Sequence, residues 1–312
     1  MGDICCAKQF LDPRSSSLIG EASCLIDEAS TLRIKTTRRR PVSPDNVRDM
    51  TIENEILEYY DQGKEHGRLT SGPSLELIRT LELLRRFLPA APARILDVGG
   101  GSGVYASRLN DQGYDVDLID PVPLHVEQAR SLGVQARIGD ARRLEEADDS
   151  CDAVLLLGPL YHLPERADRV RALTEAARVV RPGGPVIAAA ISRYASFFEG
   201  FFRNYVDRPG FTELMRADVR SGRHLNPSNH PERFTTAYFH TPDELAGELA
   251  EAGLTGSAVL PVEGMLAWAP GIGDRLADPQ QRELILELLA ETEGDPALSA
   301  ASSHLLGVGR AV

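Results

Sequence analysis

Ile95-Leu96-Asp97-Val98-Gly99-Gly100-Gly101-Ser102-Gly103 decides the reading of this chain. An apolar run interrupted by one carboxylate predicts a buried strand. Four glycines then turn the chain, and the apolar pattern resumes near Val104 as a helix. Glycine tolerates positive φ and lets a ligand approach the backbone without a Cβ in the way. A strand, a Gly-rich turn and a helix N-terminus make up the ligand-binding edge of an open α/β sheet. The stretch therefore points to a nucleoside-bearing cofactor, and two patterns compete for which one.

Gly101-x-Gly103-x-x-Ala106 fits the dinucleotide pattern G-x-G-x-x-G/A, which is weak on its own. The same residues also fit acid-x-Gly-x-Gly-x-Gly, filled by Asp97, Gly99, Gly101 and Gly103. In this second pattern the acid is placed to accept bonds from the turn's amides or from a cationic ligand group. A pyrophosphate is repelled by that carboxylate, whereas a ligand with an ammonium group is attracted.

Outward from the turn, apolar strands alternate with helices. Strands are predicted at 93–98, 115–119, 134–138, 152–157 and 185–191, with helices at 102–111, 123–132 and 165–180 between them. Such alternation gives a mostly parallel sheet with helices on both faces. Towards the C-terminus a helix at 243–252, a strand at 257–262, a helix at 279–290 and a strand at 304–309 complete seven strands.

The bulk composition narrows the function. The chain has 312 residues, 46 acids against 34 bases, and a net charge of −12. That balance disfavours a phosphate backbone as substrate, so no nucleic-acid partner is expected. There is no run long enough to span a bilayer and no secretory leader, and the four cysteines do not form a disulfide or zinc pattern. A reduced, cytoplasmic protein without membrane or metal is expected. A homo-oligomer remains open.

The segments after the turn resemble the class I S-adenosylmethionine-dependent methyltransferases, in their small-molecule, natural-product branch, across roughly residues 55–192. Asp120 ends the second strand, Gly139-Asp140-Ala141 follows the third, and Leu155-Leu156-Leu157-Gly158-Pro159-Leu160-Tyr161-His162-Leu163 carries the fourth into a loop. Arg181-Pro182-Gly183-Gly184 precedes the fifth strand. The resemblance implies a Rossmann-like sheet and S-adenosylmethionine as methyl donor, with S-adenosylhomocysteine as product. It implies that Asp120 meets the ribose, that Asp140 and Ala141 meet the adenine, and that Pro121 and Leu157 lie near the cofactor. Tyr59-Tyr60 and Arg68 resemble an N-terminal helical lid over residues 51–90, with Tyr60 at the reacting centre and Arg68 on the methionine carboxylate. Residues 91–192 and 241–312 would then be the core, and 1–50 a flexible extension.

The acceptor side falls in an insertion, residues 193–240. Tyr194, Phe197, Phe198, Phe201, Phe202 and Tyr205 follow a helical spacing that paints one face with rings. The first five, with His230, are candidate substrate contacts. Such a surface suits a small apolar, aromatic or isoprenoid metabolite methylated on O, N or C. His162 is the candidate general base, with Tyr60 and Tyr161 beside it. An NAD-linked oxidoreductase and a non-catalytic binding protein of the same fold stay open as alternatives.

Overall fold

The computed structural model describes residues 54–60, 69, 72–226 and 233–312. The expected extension 1–50, Arg68 and His230 lie outside the described residues. The first strands form as the sequence predicts. Strand β1 (Arg94–Val98), β2 (Asp115–Asp120), β3 (Gln135–Ile138), β4 (Ala153–Leu156) and β5 (Pro185–Ser192) pair in the parallel order β3-β2-β1-β4-β5. The register sets Asp97 beside Leu118 on one side and Leu155 on the other.

Side chains alternate across this sheet because successive strand residues point to opposite faces. Leu96, Val98, Val154 and Leu156 pack with α5 (Arg166–Val179) and α8 (Pro242–Glu251). Ile95, Val116, Leu118 and Leu155 pack with α2 (Leu75–Phe87) and α3 (Val104–Asn110). Burial on both faces explains why β4 and β5 read as apolar runs and why β1 is broken only by Asp97. Each fully buried leucine contributes roughly 2–3 kcal/mol of transfer free energy, which offsets the entropy of ordering its segment.

Helix ends follow local chemistry. The Ser74 hydroxyl caps α2 by accepting the Leu77 N–H, and Leu88 and Pro89 end it. Thr241 and Glu244 form a reciprocal capping box at the start of α8. Before α2, helix α1 (Asn54–Tyr60) packs Ile56 and Tyr60 against Val122, just beyond β2. Helix α4 (Pro123–Ser131) starts with a proline in its first turn.

The C-terminal half adds strands in two places. Strand β9 (His304–Arg310) runs antiparallel to β5 over its length, and β8 (Thr255–Pro261) pairs with β9. A short ribbon, β6 (Arg223–His224) and β7 (Ala237–His240), extends the ligand edge, with Ile191 of β5 beside Phe239 of β7. The described residues therefore hold nine strands, not seven. The ribbon escaped the sequence reading because strands of two and four residues in a polar stretch show no alternation.

The aromatic stripe is also shorter than its spacing implies. Helix α6 (Ala195–Phe202) ends before Asn204, which adopts φ 57°, and Tyr205 falls in a separate single turn. It is followed by α7 (Phe211–Ser221), and α9 (Ile272–Ala277), α10 (Pro279–Thr292) and α11 (Pro296–Ser299) precede β9. Among the described residues, no helix is long and apolar enough to cross a membrane.

Candidate functional site

The glycine turn, the end of β2 and the turn after β4 enclose one cavity at the C-terminal edge of the sheet. Two glycines have separate reasons to be there. Gly101 has φ 58°, and a Cβ on it would project into open space at the cavity. Gly103 has φ 81°, and a Cβ would lie 2.8 Å from the Cβ of Ala129. It is a packing glycine between α3 and α4 and does not line the cavity.

Asp97 departs from its expected role. Its side chain is fully buried and accepts no bond from the turn's amides. Both carboxylate oxygens lack a partner, and burial, reinforced by the charge of Asp120, pushes its pKa up to about 7. The carboxylate lies under Gly100, behind the cavity wall rather than in it. An orphaned acid beneath a ligand turn fits a cationic ligand group, and does not fit a pyrophosphate.

Asp120 organises the rim. One carboxylate oxygen accepts the Gly101 N–H at 2.9 Å. The other accepts the Val122 N–H at 2.9 Å and faces Nδ1 of His125 at 3.1 Å. Asp140 lines the cavity and pairs with Arg142 at 2.7 Å, which also reaches Asp168 at 3.1 Å. Gly99, Pro121, Ala141 and Leu157 complete the expected contacts found on the wall.

Tyr60, Tyr161 and His162 come together at the other end. The Tyr60 hydroxyl lies 2.6 Å from Nε2 of His162. Tyr161 stands edge-on to the same imidazole, with ring centroids 4.6 Å apart. His162 is half-buried, and desolvation lowers its pKa to about 3, with nearby His125 pushing the same way and the Thr236 backbone opposing. The imidazole is therefore neutral at physiological pH. Arg169 fixes the loop just beyond it, donating to the carbonyls of Leu163 and Pro164. Glu248 holds that guanidinium at 2.8 Å, and Tyr238 lies under it at 3.7 Å.

The aromatic stripe is not brought to this cavity. Neither Tyr194 nor Phe197, Phe198, Phe201 or Phe202 lines it. Phe198 and Phe202 lie against Trp268, while Phe197, Phe201 and Phe202 keep large exposed areas. Helix α6 ends too early and faces the Trp268 turn instead.

Residues that the sequence reading passed over do reach the site. His125 lines the cavity from the first turn of α4. A histidine in the first turn of the helix after a strand-ending acid was the available signal. The Phe234 ring lies 5.7 Å from His162 and 5.6 Å from Tyr59, but nothing in its sequence neighbourhood marks it. Glu76 also lines the cavity, and its carboxylate comes within metal-ligand reach of Glu263 and His304, a grouping with no sequence spacing to announce it. Glu263 accepts from Ser302, from the His304 backbone and from His304 Nδ1, which explains this group as an internal polar clamp.

Comparison with known proteins gives a consistent likeness. Residues 95–184 match a family described as a methyltransferase domain. An uncharacterized methyltransferase of Mycobacterium tuberculosis is 39% identical over 105 residues, covering 33% of this chain and 42% of that protein. A ubiquinone biosynthesis O-methyltransferase of Xylella fastidiosa is 30% identical over 125 residues, 38% of this chain and 50% of that protein. The chain thus spans half or less of the length of these curated relatives. A crystal structure of an S-adenosylmethionine-dependent methyltransferase from Methanosarcina mazei superposes with a TM-score of 0.50 at 17% identity, covering 74% of this chain and 97% of that one. At that identity it speaks for the fold alone.

Proposed function

We propose, for a chain whose residues 95–184 are a class I S-adenosylmethionine-dependent methyltransferase domain, that the whole protein methylates a small, largely apolar or aromatic metabolite. One observation carries the choice of cofactor. Among the described residues that line the cavity, the charged side chains are Glu76, Asp120 and Asp140, with no lysine or arginine. Asp97 adds a buried acid behind them. Such a wall favours a ligand with sulfonium and ammonium charges and repels the pyrophosphate of a dinucleotide.

When bound, the donor supplies an already activated methyl group, so the protein's work is alignment and exclusion of water. Tyr60 and Tyr161 line the end where the acceptor enters, and His162 offers a neutral ring nitrogen there. Its depressed basicity favours an acceptor that releases its proton readily, a phenol or enol over an aliphatic alcohol. Residues 193–240 remain the acceptor-side cover in this reading. The part nearest His162 is the ribbon and Phe234, in place of the α6 stripe. The likeness to an O-methyltransferase supports oxygen as the atom methylated.

Calorimetric titration with S-adenosylmethionine, S-adenosylhomocysteine and NADH tests the proposal. Binding of the two sulfur nucleosides without NADH is the expected result. NADH binding alone overturns it, and binding without transfer to any phenol in a broad panel leaves a non-catalytic binding protein.

A further inference from the structure

His125 has no counterpart in the motif pattern, yet it lines the cavity and carries a buried ring nitrogen without a partner. Its ring is 4% exposed, and Nε2 has no partner. Nδ1 faces the carboxylate of Asp120 at 3.1 Å. An ionised carboxylate only accepts, so Nδ1 carries the hydrogen. In the neutral ring, Nε2 is then a bare acceptor. A buried acceptor left empty is unfavourable, and such groups are normally satisfied by protein, water or ligand.

The neighbouring groups narrow what can fill it. Asp120 ends β2 beside Gly101, where nucleotide-binding α/β sheets place the acid that reads ribose. In this chain both oxygens of that acid already accept backbone N–H groups, and one of them also holds His125. Tyr60, edge-on to His125 with centroids 5.0 Å apart, directs its hydroxyl to His162.

We infer that His125 Nε2 accepts a hydrogen bond from a ribose hydroxyl of the bound nucleoside, with Asp120 holding the ring in the required tautomer. The inference rests on the cofactor reading above. It divides a job commonly done by one carboxylate between two side chains: Asp120 shapes the turn, and His125 reads the sugar.

The test is a calorimetric comparison of S-adenosylhomocysteine with its 2′-deoxy and 3′-deoxy counterparts, on the wild-type protein, His125→Phe and His125→Gln. Loss of one hydrogen bond predicts that one deoxy compound binds the wild type about tenfold more weakly. His125→Phe should bind S-adenosylhomocysteine about tenfold more weakly and cease to distinguish the two. His125→Gln, which restores an acceptor oxygen, should recover part of the distinction. Equal binding of all three compounds to the wild type overturns the inference, as does a His125→Phe protein that still discriminates. If His125→Phe does not fold, the wild-type series and His125→Gln decide. Failure of folded wild type to bind S-adenosylhomocysteine at all overturns the cofactor reading instead.

Discussion

The phenol oxygen of Tyr60 and Nε2 of His162 lie 2.6 Å apart, joining α1 to the turn after β4 across 102 positions of sequence. The imidazole is neutral, so its tautomer sets which of the two groups donates in this bond. Tyr60→Phe removes the hydroxyl and leaves a half-buried ring nitrogen without its partner. It should lower stability by about 1–3 kcal/mol, measured by urea unfolding, and it should lower the rate of methyl transfer more than it lowers cofactor affinity. An unchanged unfolding midpoint would show that the bond contributes nothing net.

His162 also shapes the acid limb of stability. Its pKa is about 3 in the folded chain against 6.5 for an ordinary imidazole. Between those values the unfolded chain binds a proton that the folded chain does not, so stability falls as pH drops from 6.5 towards 3. The limiting slope is about 1.4 kcal/mol per pH unit. His162→Gln should flatten that limb in thermal melts across the window; an equally steep limb would locate the acid sensitivity elsewhere.

Asp97 acts in the opposite direction. Burial raises its pKa to about 7 from 3.8, so the folded chain holds a proton that the unfolded chain has released. Stability therefore declines as pH rises from about 4 to 7. Asp97→Asn cannot ionise, and its melting temperature relative to wild type should be more favourable at pH 8 than at pH 5. The same relative melting temperature at both pH values would mean that the carboxyl is solvated or paired.

Asp120→Ala removes the acceptor for Gly101, Val122 and His125 together. Loss of detectable S-adenosylhomocysteine binding is expected by calorimetry, with the sheet core intact by circular dichroism. Retained affinity would count against the whole map of the rim.

Arg169 is 1% exposed and bound to Glu248, itself 1% exposed. Removing one partner of such a pair leaves an uncompensated buried charge, at a cost of about 3–5 kcal/mol. Arg169→Met should destabilise by that order in urea, and Arg169→Met with Glu248→Met should recover much of the loss. No recovery in the double variant would assign the effect to the carbonyls of Leu163 and Pro164.

What the chain determined by itself was everything governed by short-range pattern. Strands β1, β2, β4 and β5 were legible because their core-facing positions must be apolar, β3 because it follows the helix at 123–132 in the strand–helix alternation, and the turn was legible because positive φ at Gly101 and Gly103 demands glycine. Asp120, Asp140 and His162 could be picked out as candidates because each lies at or beyond the C-terminal end of a strand. The tertiary structure alone decided the rest. Whether Asp97 faced ligand or core depended on how Gly100 folded over it. The ring spacing from Tyr194 to Tyr205 could not reveal that α6 stops at Phe202 and faces Trp268. His125 and Phe234 entered the site because β2, the turn after β4 and the ribbon converge there. Such convergence is set by packing between distant segments, and no local spacing encodes it.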